Sequence, residues 1–418
     1  MERACLCIDL KSFFASVECV ERGLDPFEVN LVVADPSRGQ GAITLAISPK
    51  MKTLGVKNRC RIFEIPKNIQ YITAVPRMRY YMKYAARIYK IFLKYIAKED
   101  IHVYSIDESF LEVGSYLKLY NMTLKELART IMNDIYQTTG ITATAGMGPN
   151  LYLAKVALDI LSKKSKDGMG YLDEDLYKQW MWPHRPITDF WQVGNGTARR
   201  LEKYGIYDMG GVARCLPDVL QKEFGVNGLY LYDHAWGKEP TLVSEIKQYK
   251  PKARSVSNSQ ILFEDYNSED ALLVLKEMVD TNVYRLIANH LVTDRIGLYI
   301  GYSKNVSKPT SVMTKITNRT NSCHILMDEF VRLYKRSVKH HLPIRQIAIF
   351  FQNVKDEIYE SYDLFTDIEK IEEEKKIQNT LLQIKEKYGK NAVLKGMNVQ
   401  EKATAIKRNK LIGGHNAQ

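Results

Sequence analysis

The chain has 418 residues, of which 45% are hydrophobic and 26% are charged. This composition excludes wholesale disorder, and the length allows two to four domains at about 150 residues each. The 60 Lys and Arg residues exceed the 48 Asp and Glu residues by 12, which favours a polyanionic partner, nucleic acid before membrane. Six cysteines without zinc spacing, no apparent signal peptide and no long apolar run predict a cytoplasmic protein.

The first 170 residues predict alternating strands and helices. The segment ACLCIDL predicts a strand ending at Asp9, with Cys5 and Cys7 on one buried face. Residues 79–98 have helical periodicity, and IHVYSIDESFLEV predicts two strands around an acidic turn. A helix ending at Gly140 and a strand in ITATAGMGP follow. This order, with an early helical insertion, predicts a split βαβ, ferredoxin-like α+β core.

The pattern changes after about Gly170 to short helices broken by glycines. Residues 244–254 are polar, basic and contain a proline, which predicts a linker. Helices over 268–291 and 322–341 alternate with strand-like runs and predict a second α+β domain. The remaining residues, 355–418, are charged and predict a partly helical tail.

Three carboxylates stand where strands of the predicted core end. Asp9 follows the first strand, while Asp107 and Glu108 occupy the hairpin turn. Neighbouring strands would bring these groups together, and clustered carboxylates suit a hard cation such as Mg²⁺. Two such ions could support in-line phosphoryl displacement. The alternative, a merely polar hairpin tip, stays open because polar residues dominate turns.

These motifs carry a family resemblance. CIDLKSFFASVE, YSIDESFLEV and TATAGMGPNLYLAKVALD resemble the Y-family DNA polymerases, and most of all the bacterial UmuC-like branch. WQVGNGTARRLEKYGI, HAWGKEP, ARSVSNSQIL and the terminal LIGGH extend the resemblance over most of the chain. It implies an α+β multidomain, right-hand polymerase. The implied parts are a ferredoxin-like palm (1–10 and 78–168), small fingers (11–77), a helix-hairpin-helix thumb (169–243), a linker (244–254), an α+β little finger (255–357) and a tail (358–418).

The resemblance also assigns roles in the active site. Asp9, Asp107 and Glu108 match the catalytic, metal-binding carboxylates, and Leu10 matches a position whose backbone carbonyl binds metal. Two Mg²⁺ ions are implied as cofactors, with Mn²⁺ as a substitute. Phe13 and Phe14 match the paired aromatic residues of the nucleotide site, and Phe14 falls at the steric gate beneath the incoming sugar.

The expected triphosphate contacts depart from the family pattern. Ala46 and Pro49 stand where many members have Thr and Tyr, and Leu151 replaces a common Lys. Lys52 keeps the charge of the usual Arg, and Lys155 matches a second recurring Lys. Ser48 is a candidate substitute hydroxyl. Solvated helix faces remain an alternative for both lysines.

Two regions are predicted to bind DNA. WQVGNGTARRL resembles a helix-hairpin-helix in which Gly194 and Gly196 allow a tight turn, a helix starts at about Thr197 and offers its N-terminus to a phosphate, and Arg199 and Arg200 add charge. An ordinary glycine-rich turn is the alternative. In the little finger, where scattered solubilising charge is the alternative, the candidates for duplex contact are Lys250, Lys252, Arg254, Lys304, Lys308, Lys315 and Arg319.

A short peptide after the little finger resembles clamp-binding tails. Asp363, Leu364 and Phe365 match the motif, Tyr362 is compatible with it, and Ser361 replaces the usual Gln. The implied partners are primer-template DNA, dNTPs, a sliding clamp and an accessory UmuD-like protein, with no membrane. A structural cap on the little finger is the alternative for this peptide.

The implied activity is low-fidelity, template-directed DNA synthesis past damaged bases, of the kind used in SOS-type damage tolerance. The primer 3′-hydroxyl would attack the α-phosphate of a dNTP and release pyrophosphate. Two other classes stay open: a nucleotidyl cyclase, which also places metal-binding carboxylates on a ferredoxin-like core, and a catalytically silent DNA-binding subunit. Binding of primer-template would distinguish the first alternative, and primer extension the second.

Overall fold

The computed structural model describes residues 3–251, 253–364 and 366–417. The chain divides into two compact units at the bond between Tyr249 and Lys250. The predictions for Lys252 and Phe365 lie outside the described residues. Within the described ranges, no helix combines the length and the apolar character needed to cross a bilayer.

The first unit contains eight strands and twelve α-helices among its described residues. The strands are β1 (Cys5–Leu10), β2 (Leu31–Val33), β3 (Ala46–Ile47), β4 (Ile72–Ala74), β5 (Ile101–Val103), β6 (Glu108–Glu112), β7 (Ala143–Gly148) and β8 (Met169–Tyr171). The helices are α1 (Phe13–Val20), α2 (Pro49–Thr53), α3 (Met78–Tyr95), α4 (Gly114–Tyr120), α5 (Leu124–Thr139), α6 (Leu151–Val156), α7 (Glu174–Met181), α8 (Asn195–Glu202), α9 (Met209–Arg214), α10 (Pro217–Phe224), α11 (Val226–Ala235) and α12 (Val243–Gln248).

A five-stranded sheet in the order β5-β6-β1-β7-β8 forms the centre of this unit. Strand β1 is antiparallel to both β6 and β7. Cys5 and Cys7 share one buried face of β1 and pack with Leu151 of α6, as predicted from their spacing. A Cβ at Gly146 would lie 2.0 Å from the carbonyl oxygen of Ala154, so the glycine lets α6 pack directly on the sheet. The predicted α+β core is confirmed.

A smaller sheet, β3-β2-β4, lies in the inserted segment. Its core includes Val32, Ile47 and Met51. Beyond β8, helices α7 to α11 enclose a separate apolar cluster that includes Tyr177, Leu201 and Met209. These helices are short because glycines and prolines interrupt them.

The predicted linker at 244–254 is wrong over its first half. Residues Val243–Gln248 form α12, and Val243 is fully buried in the same cluster as Cys7, with Ile246 packed against it. Helix α12 looks polar in the sequence because, of its six residues, Val243 and Ile246 are the ones that pack into this cluster. Burial of those two apolar groups is sufficient to fix a short helix there.

The second unit has a four-stranded antiparallel sheet in the order β11-β10-β12-β9. Its strands are β9 (Arg254–Tyr266), β10 (Leu291–Tyr302), β11 (Thr310–Thr320) and β12 (Ile344–Asp356), with a terminal hairpin of β13 (Leu411–Ile412) and β14 (His415–Asn416). Its helices are α13 (Ser268–Ala288), α14 (Cys323–Ser337), α15 (Ile368–Tyr388) and α16 (Ala405–Arg408). Helices α13 and α14 share an apolar core with one face of the sheet.

The predicted tail is part of this unit, which corrects the expectation of a separate segment. Helix α15 packs on α13, and Ser322 donates a hydrogen bond of 2.6 Å to Glu374 of α15. The buried carboxylate of Glu277 on α13 accepts hydrogen bonds from the backbone N–H groups of Thr404 and Ala405. The high charge of the segment concealed these specific polar contacts.

Candidate active site

The three predicted carboxylates come together at the ends of β1 and β6. Asp9 and Glu108 are direct cross-strand partners. The Leu10 N–H donates to the carbonyl oxygen of Asp107 at 2.9 Å. This hydrogen bond continues the antiparallel pairing of β1 and β6 as far as the acidic turn. Ser105 donates a 2.6 Å hydrogen bond to the Asp107 carboxylate. The sheet therefore fixes the backbone positions of all three acids.

The negative charge of the cluster is compensated only in part by the neighbouring lysines. Burial, followed by the charges of Asp107 and Glu108, raises the pKa of Asp9 to about 7. A cation placed here would relieve this repulsion and return Asp9 to its ionised form. The local donors are carboxylate and carbonyl oxygens, the ligand type that Mg²⁺ prefers. The residues present therefore fit a hard divalent ion.

The side chain of Glu108 contacts Lys155 of α6 and Cys7 of β1. The Lys155 amine lies 2.8 Å from one oxygen of Glu108 and 3.0 Å from Asp159. The Cys7 thiol, whose pKa is raised by burial, donates to Glu108 at 3.2 Å. Among the described residues, no three His, Cys, Asp or Glu side chains already form a metal cage, and Glu108 faces Lys155. A metal would have to compete with this ion pair.

The placement of Lys155 departs from its predicted triphosphate contact. Its amine is almost fully buried and is shared between two carboxylates. Burial would lower the pKa of Lys155, yet the surrounding anionic groups raise it above its ordinary value. The geometry supports a positioning role behind Glu108.

Two lysines that the sequence did not single out lie near the acids. The Lys163 charge lowers the pKa of Asp9, and the charges of Lys163 and Lys11 both act on Lys52. The pKa of Lys52 is lowered chiefly by burial, with the Asp9 carboxylate opposing that shift. The charges of Lys52 and Lys163 thus act near Asp9, Lys11 acts on Lys52, and Lys163 also pairs with Asp159 at 3.3 Å. Their spacing in sequence gives no indication of it, because a π-helical turn at Ala157–Leu161 sets the position of Lys163.

The prediction that Ser48 supplies a triphosphate hydroxyl is wrong. Its side chain is fully buried. The hydroxyl donates to the carbonyl oxygen of Val29 at 2.7 Å and accepts from the Met51 N–H as the N-cap of α2. Ala46, Pro49 and Leu151 are likewise buried. The departures from the family pattern at these three positions lie in the core.

The two aromatic residues after Asp9 have different environments. Phe13 is 2% exposed, whereas Phe14 is half-buried. The Phe14 ring lies 5.5 Å from the Phe13 ring and 4.7 Å from the Tyr81 ring. Tyr81 is fixed by a 2.7 Å hydrogen bond to the buried Glu18. Phe14 therefore presents one face outward from a rigid aromatic support.

The predicted helix-hairpin-helix differs in detail from the expectation. Helix α8 begins at Asn195, two residues earlier than predicted, and the residue with positive φ in the turn is Gln192, at 69°. Gly194 is extended, with φ of −91°. Arg199 is exposed, but Arg200 forms a 2.7 Å ion pair with Glu223. Of the two arginines, Arg200 already has a carboxylate partner, whereas Arg199 has none among the described residues.

The predicted basic residues of the second unit divide into two groups. Arg254 pairs with Asp356, and Arg319 pairs with Asp294. Lys315 is exposed on β11, directly opposite the exposed Arg295 on β10. Arg295 was not predicted from the sequence, although it is a cation within a strand-like run. Lys250, Lys304 and Lys308 are also exposed.

The predicted clamp-binding peptide forms a connection between β12 and α15. Ser361 hydrogen-bonds through its N–H to the carbonyl oxygen of Arg319 at 3.0 Å. Asp363 accepts from Asn318 at 3.0 Å. Leu364 is 99% exposed. The peptide is thus anchored to the sheet by polar contacts, and it presents an apolar side chain to solvent.

An acidic cluster on a ferredoxin-like sheet, with a small inserted sheet, short helices and a second α+β unit, defines a palm-type polymerase. One family model, described as the impB/mucB/samB family, matches residues 8–159, and a model of that family's C-terminal domain matches residues 253–364. The chain belongs to the impB/mucB/samB family, and the predicted resemblance to UmuC- and DinB-like Y-family DNA polymerases is confirmed.

Individual relatives match almost the whole chain. The UV-damage repair protein UvrX of Bacillus subtilis is 32% identical over 98% of this chain and 97% of its own length. DNA polymerase IV 2 of Halalkalibacterium halodurans is 28% identical over 99% of this chain and 100% of its own length. A solved Y-family DNA polymerase chimera superposes with a TM-score of 0.65 at 23% identity, and covers 84% of this chain and 99% of the chimera. This last likeness concerns the fold.

Proposed function

We propose that this Y-family polymerase performs template-directed, low-fidelity DNA synthesis past damaged bases during DNA repair. The observation that carries the proposal is the convergence of Asp9, Asp107 and Glu108 at adjacent strand ends, with the pKa of Asp9 raised to about 7 by burial and by the other two acids. Relatives described as DNA polymerase IV and as a UV-damage repair protein support the reaction and its setting.

Asp9, Asp107, Glu108 and the Leu10 carbonyl would hold two Mg²⁺ ions, or Mn²⁺ in their place. Such ions lower the pKa of an attacking hydroxyl and neutralise charge on a phosphoryl group and its leaving oxygen. Lys155 and Cys7 keep the Glu108 carboxylate oriented from behind. Catalysis then depends mainly on positioning and charge neutralisation.

The lysines around Asp9 support dNTP as the small substrate. Lys11, Lys52 and Lys163 would bind the triphosphate, while Phe14 would lie against the sugar. Primer-template DNA would contact Arg199 and the α8 N-terminus in the first unit. Lys315 and Arg295 would contact it in the second unit. Contacts of this kind go to phosphates and carry no sequence information, which suits a polymerase.

The exposed Leu364 supports a sliding clamp as a protein partner. The accessory UmuD-like protein stays a prediction from the family resemblance. Six free cysteines support function in the reducing cytoplasm.

The test is primer extension with Mg²⁺ and dNTPs on an undamaged and a lesion-bearing template. We expect the wild-type protein to extend both, and Asp107→Ala and Glu108→Ala to abolish nucleotide addition. Primer-template binding by both variants should persist, because the DNA-contacting residues are unchanged. The matched control is Glu99→Ala, which removes an exposed acid of the same unit.

Normal extension by either carboxylate variant would contradict the metal assignment. Binding of primer-template without any extension by the wild-type protein would favour the catalytically silent subunit. The whole-length match to polymerases argues against a nucleotidyl cyclase, since a cyclase has no use for the second unit.

A further inference from the structure

Asp159 lies beside the carboxylate cluster, and the proposed reaction does not use it. It belongs to the π-helical turn Ala157–Leu161, which directly follows α6. Turns of this kind are rare and occur frequently at functional sites. The side chain of Asp159 is 24% exposed. This acid therefore stands between the buried side of the active site and solvent.

A glycine of the central sheet fixes the backbone around Asp159. A Cβ at Gly170 of β8 would lie 2.6 Å from the carbonyl oxygen of Ala157 and 3.0 Å from the nitrogen of Ser162. Ala157 and Ser162 are both buried. The sheet thus contacts the backbone before and after Asp159, and the position of this acid is set by the packing of the turn on the sheet.

Four charged side chains form a row that leads from the carboxylate cluster to solvent. The Lys155 amine lies 2.8 Å from Glu108 and 3.0 Å from Asp159. Asp159 in turn lies 3.3 Å from the amine of Lys163, whose side chain is 59% exposed. Burial raises the pKa of Asp9, and the charge of Lys163 opposes that shift. Asp159 is therefore the link between the two lysines that act on the cluster.

The pairing of Lys155 with Asp159 differs from an ordinary ion pair on a helix surface. A pair four residues apart usually lies in solvent, where its contribution to stability is small. The Lys155 side chain is instead 8% exposed, and its amine contacts both carboxylate oxygens of Glu108, at 2.8 and 2.9 Å. A buried ammonium group without a paired anion is costly. Lys155 therefore needs a second carboxylate whenever Glu108 serves another cation.

We propose that Asp159 is a positioning residue, which keeps the Lys155 charge compensated when Glu108 binds a divalent ion. With Asp159 in place, Lys155 has an anionic partner whether or not Glu108 is engaged. Without Asp159, Glu108 would be the one remaining carboxylate partner of Lys155 among the described residues, and a metal ion would compete with an undivided ion pair. The proposal deepens the proposed polymerase function and rests on it.

The experiment measures Mn²⁺ binding to the full chain by electron paramagnetic resonance, in the complex with a dideoxy-terminated primer-template and a matching dNTP. The terminated primer prevents turnover, and a sample without protein gives the Mn²⁺ bound by the dNTP and DNA alone. Asp159→Asn keeps the shape of the side chain and removes its charge. We expect the Mn²⁺ affinity to fall about 10- to 100-fold, as it does when a group that supports a metal ligand is removed.

A second pair of variants tests whether Asp159 acts through Lys155. In Lys155→Met the charge that competes with the metal is absent, so Asp159 has no ammonium group to hold there. Adding Asp159→Asn to Lys155→Met should change the Mn²⁺ affinity by no more than about twofold, as for residues that do not interact. An equal loss of affinity with and without Lys155 would overturn the proposal.

Nucleotide addition provides an independent readout. In Asp159→Asn the Mg²⁺ concentration that gives the half-maximal rate should rise by a factor similar to the loss of Mn²⁺ affinity. High Mg²⁺ should recover most of the rate, because the metal ligands themselves are unchanged. Asp159→Glu keeps the charge at a partly exposed position and should lie between the wild type and Asp159→Asn in both measurements. A rate that stays low at every Mg²⁺ concentration would contradict the proposed role.

The matched control is Asp175→Asn, which removes the acid of an ordinary helical ion pair. Asp175 is 96% exposed and lies 3.4 Å from Lys178. The control should keep the wild-type Mn²⁺ affinity. Wild-type affinity in Asp159→Asn would overturn the proposal. Loss of cooperative melting in Asp159→Asn and in Asp159→Glu would overturn it too, because Asp159 would then be a structural residue.

Failure of this role and failure of the polymerase function are distinguishable. A wild-type protein that binds Mn²⁺ and extends primers, together with an unaffected Asp159→Asn, contradicts only the role of Asp159. A wild-type protein that neither binds Mn²⁺ in this complex nor extends primers contradicts both.

Discussion

Replacement of Phe14 by Val should admit ribonucleotides to the active site. The Phe14 ring is half-buried and is backed by Phe13 at 5.5 Å and by Tyr81 at 4.7 Å. Glu18 holds Tyr81, and Arg77 donates two hydrogen bonds of 2.9 Å to Glu18. The ring therefore cannot move away from an extra hydroxyl on the incoming sugar. Discrimination of this kind comes from a clash and needs no attractive contact with the correct sugar.

The size of the effect follows from the rigidity of that support. Forcing extra atoms into a packed space costs about 1–3 kcal/mol. Since about 1.4 kcal/mol corresponds to a tenfold change, the ratio of rNTP to dNTP efficiency should rise about 5- to 150-fold. Deletion of a half-buried ring should cost less stability than the roughly 3–5 kcal/mol of a fully buried one. Phe14→Val should therefore fold.

The assay is single-nucleotide insertion with matched rNTP and dNTP, read as kcat/KM. Phe13→Val is the matched control, because Phe13 is buried in the core at 2% exposure. We expect Phe13→Val to lower the melting temperature more than Phe14→Val and to raise the selectivity ratio less, because Phe13 only backs the Phe14 ring. An unaltered ratio in Phe14→Val, or equal loss of all nucleotide addition in both variants, would refute the steric gate and make Phe14 a core residue.

Leu364→Ala with Phe365→Ala should abolish stimulation by a sliding clamp and keep basal extension, because Leu364 is 99% exposed and supports no core. The control is Ile358→Ala, at a position that is 86% exposed. Undiminished clamp stimulation of the double variant would show that the peptide has a structural role only. A further prediction concerns Glu239, for which burial would raise the pKa, but hydrogen bonds from His234 and Thr241 outweigh that effect and lower the pKa to about 2. A lowered carboxyl pKa contributes stability above the unfolded pKa of about 4.5, and that contribution disappears as pH falls through about 2. The free energy of unfolding of the wild type should thus decrease by about 3 kcal/mol more than that of Glu239→Gln between pH 5 and pH 2, and parallel pH profiles in chemical denaturation would contradict this.

The sequence predicted those parts of the fold in which periodicity and burial agree. Helix α3 was expected over 79–98 and spans Met78–Tyr95, because its apolar positions recur at helical spacing. The two strands predicted around the acidic turn are β5 and β6, although three consecutive residues of β6 are buried and its burial does not alternate. The convergence of Asp9 with Glu108 followed from the order of elements alone, since adjacent strands of a split βαβ sheet place their ends together.

Side-chain partners could not be predicted in the same way. Ser48 and Lys155 both look like solvent-facing polar groups in the sequence. One is buried as a helix cap, and the other is buried between Glu108 and Asp159. Both placements depend on contacts between residues far apart along the chain, such as the 17 positions that separate Ser48 from Leu31. A linear pattern contains no information about such pairings.

The same dependence on contacts in the folded chain explains why the predicted DNA-binding residues are not equivalent. Charge counting treated Arg200, Arg254 and Arg319 as equal to Lys315, but all three arginines have a carboxylate partner. An arginine already paired in the folded protein gives up that interaction before it can bind a phosphate, so its net contribution to DNA affinity is reduced. Lys11, Lys163 and Arg295 were not singled out from the sequence, although the charges of Lys11 and Lys163 act on Lys52 near Asp9 and Arg295 is exposed on β10. In a chain with a net charge of +12, paired and unpaired cations differ in what they can offer a polyanion, and only the folded structure distinguishes one group from the other.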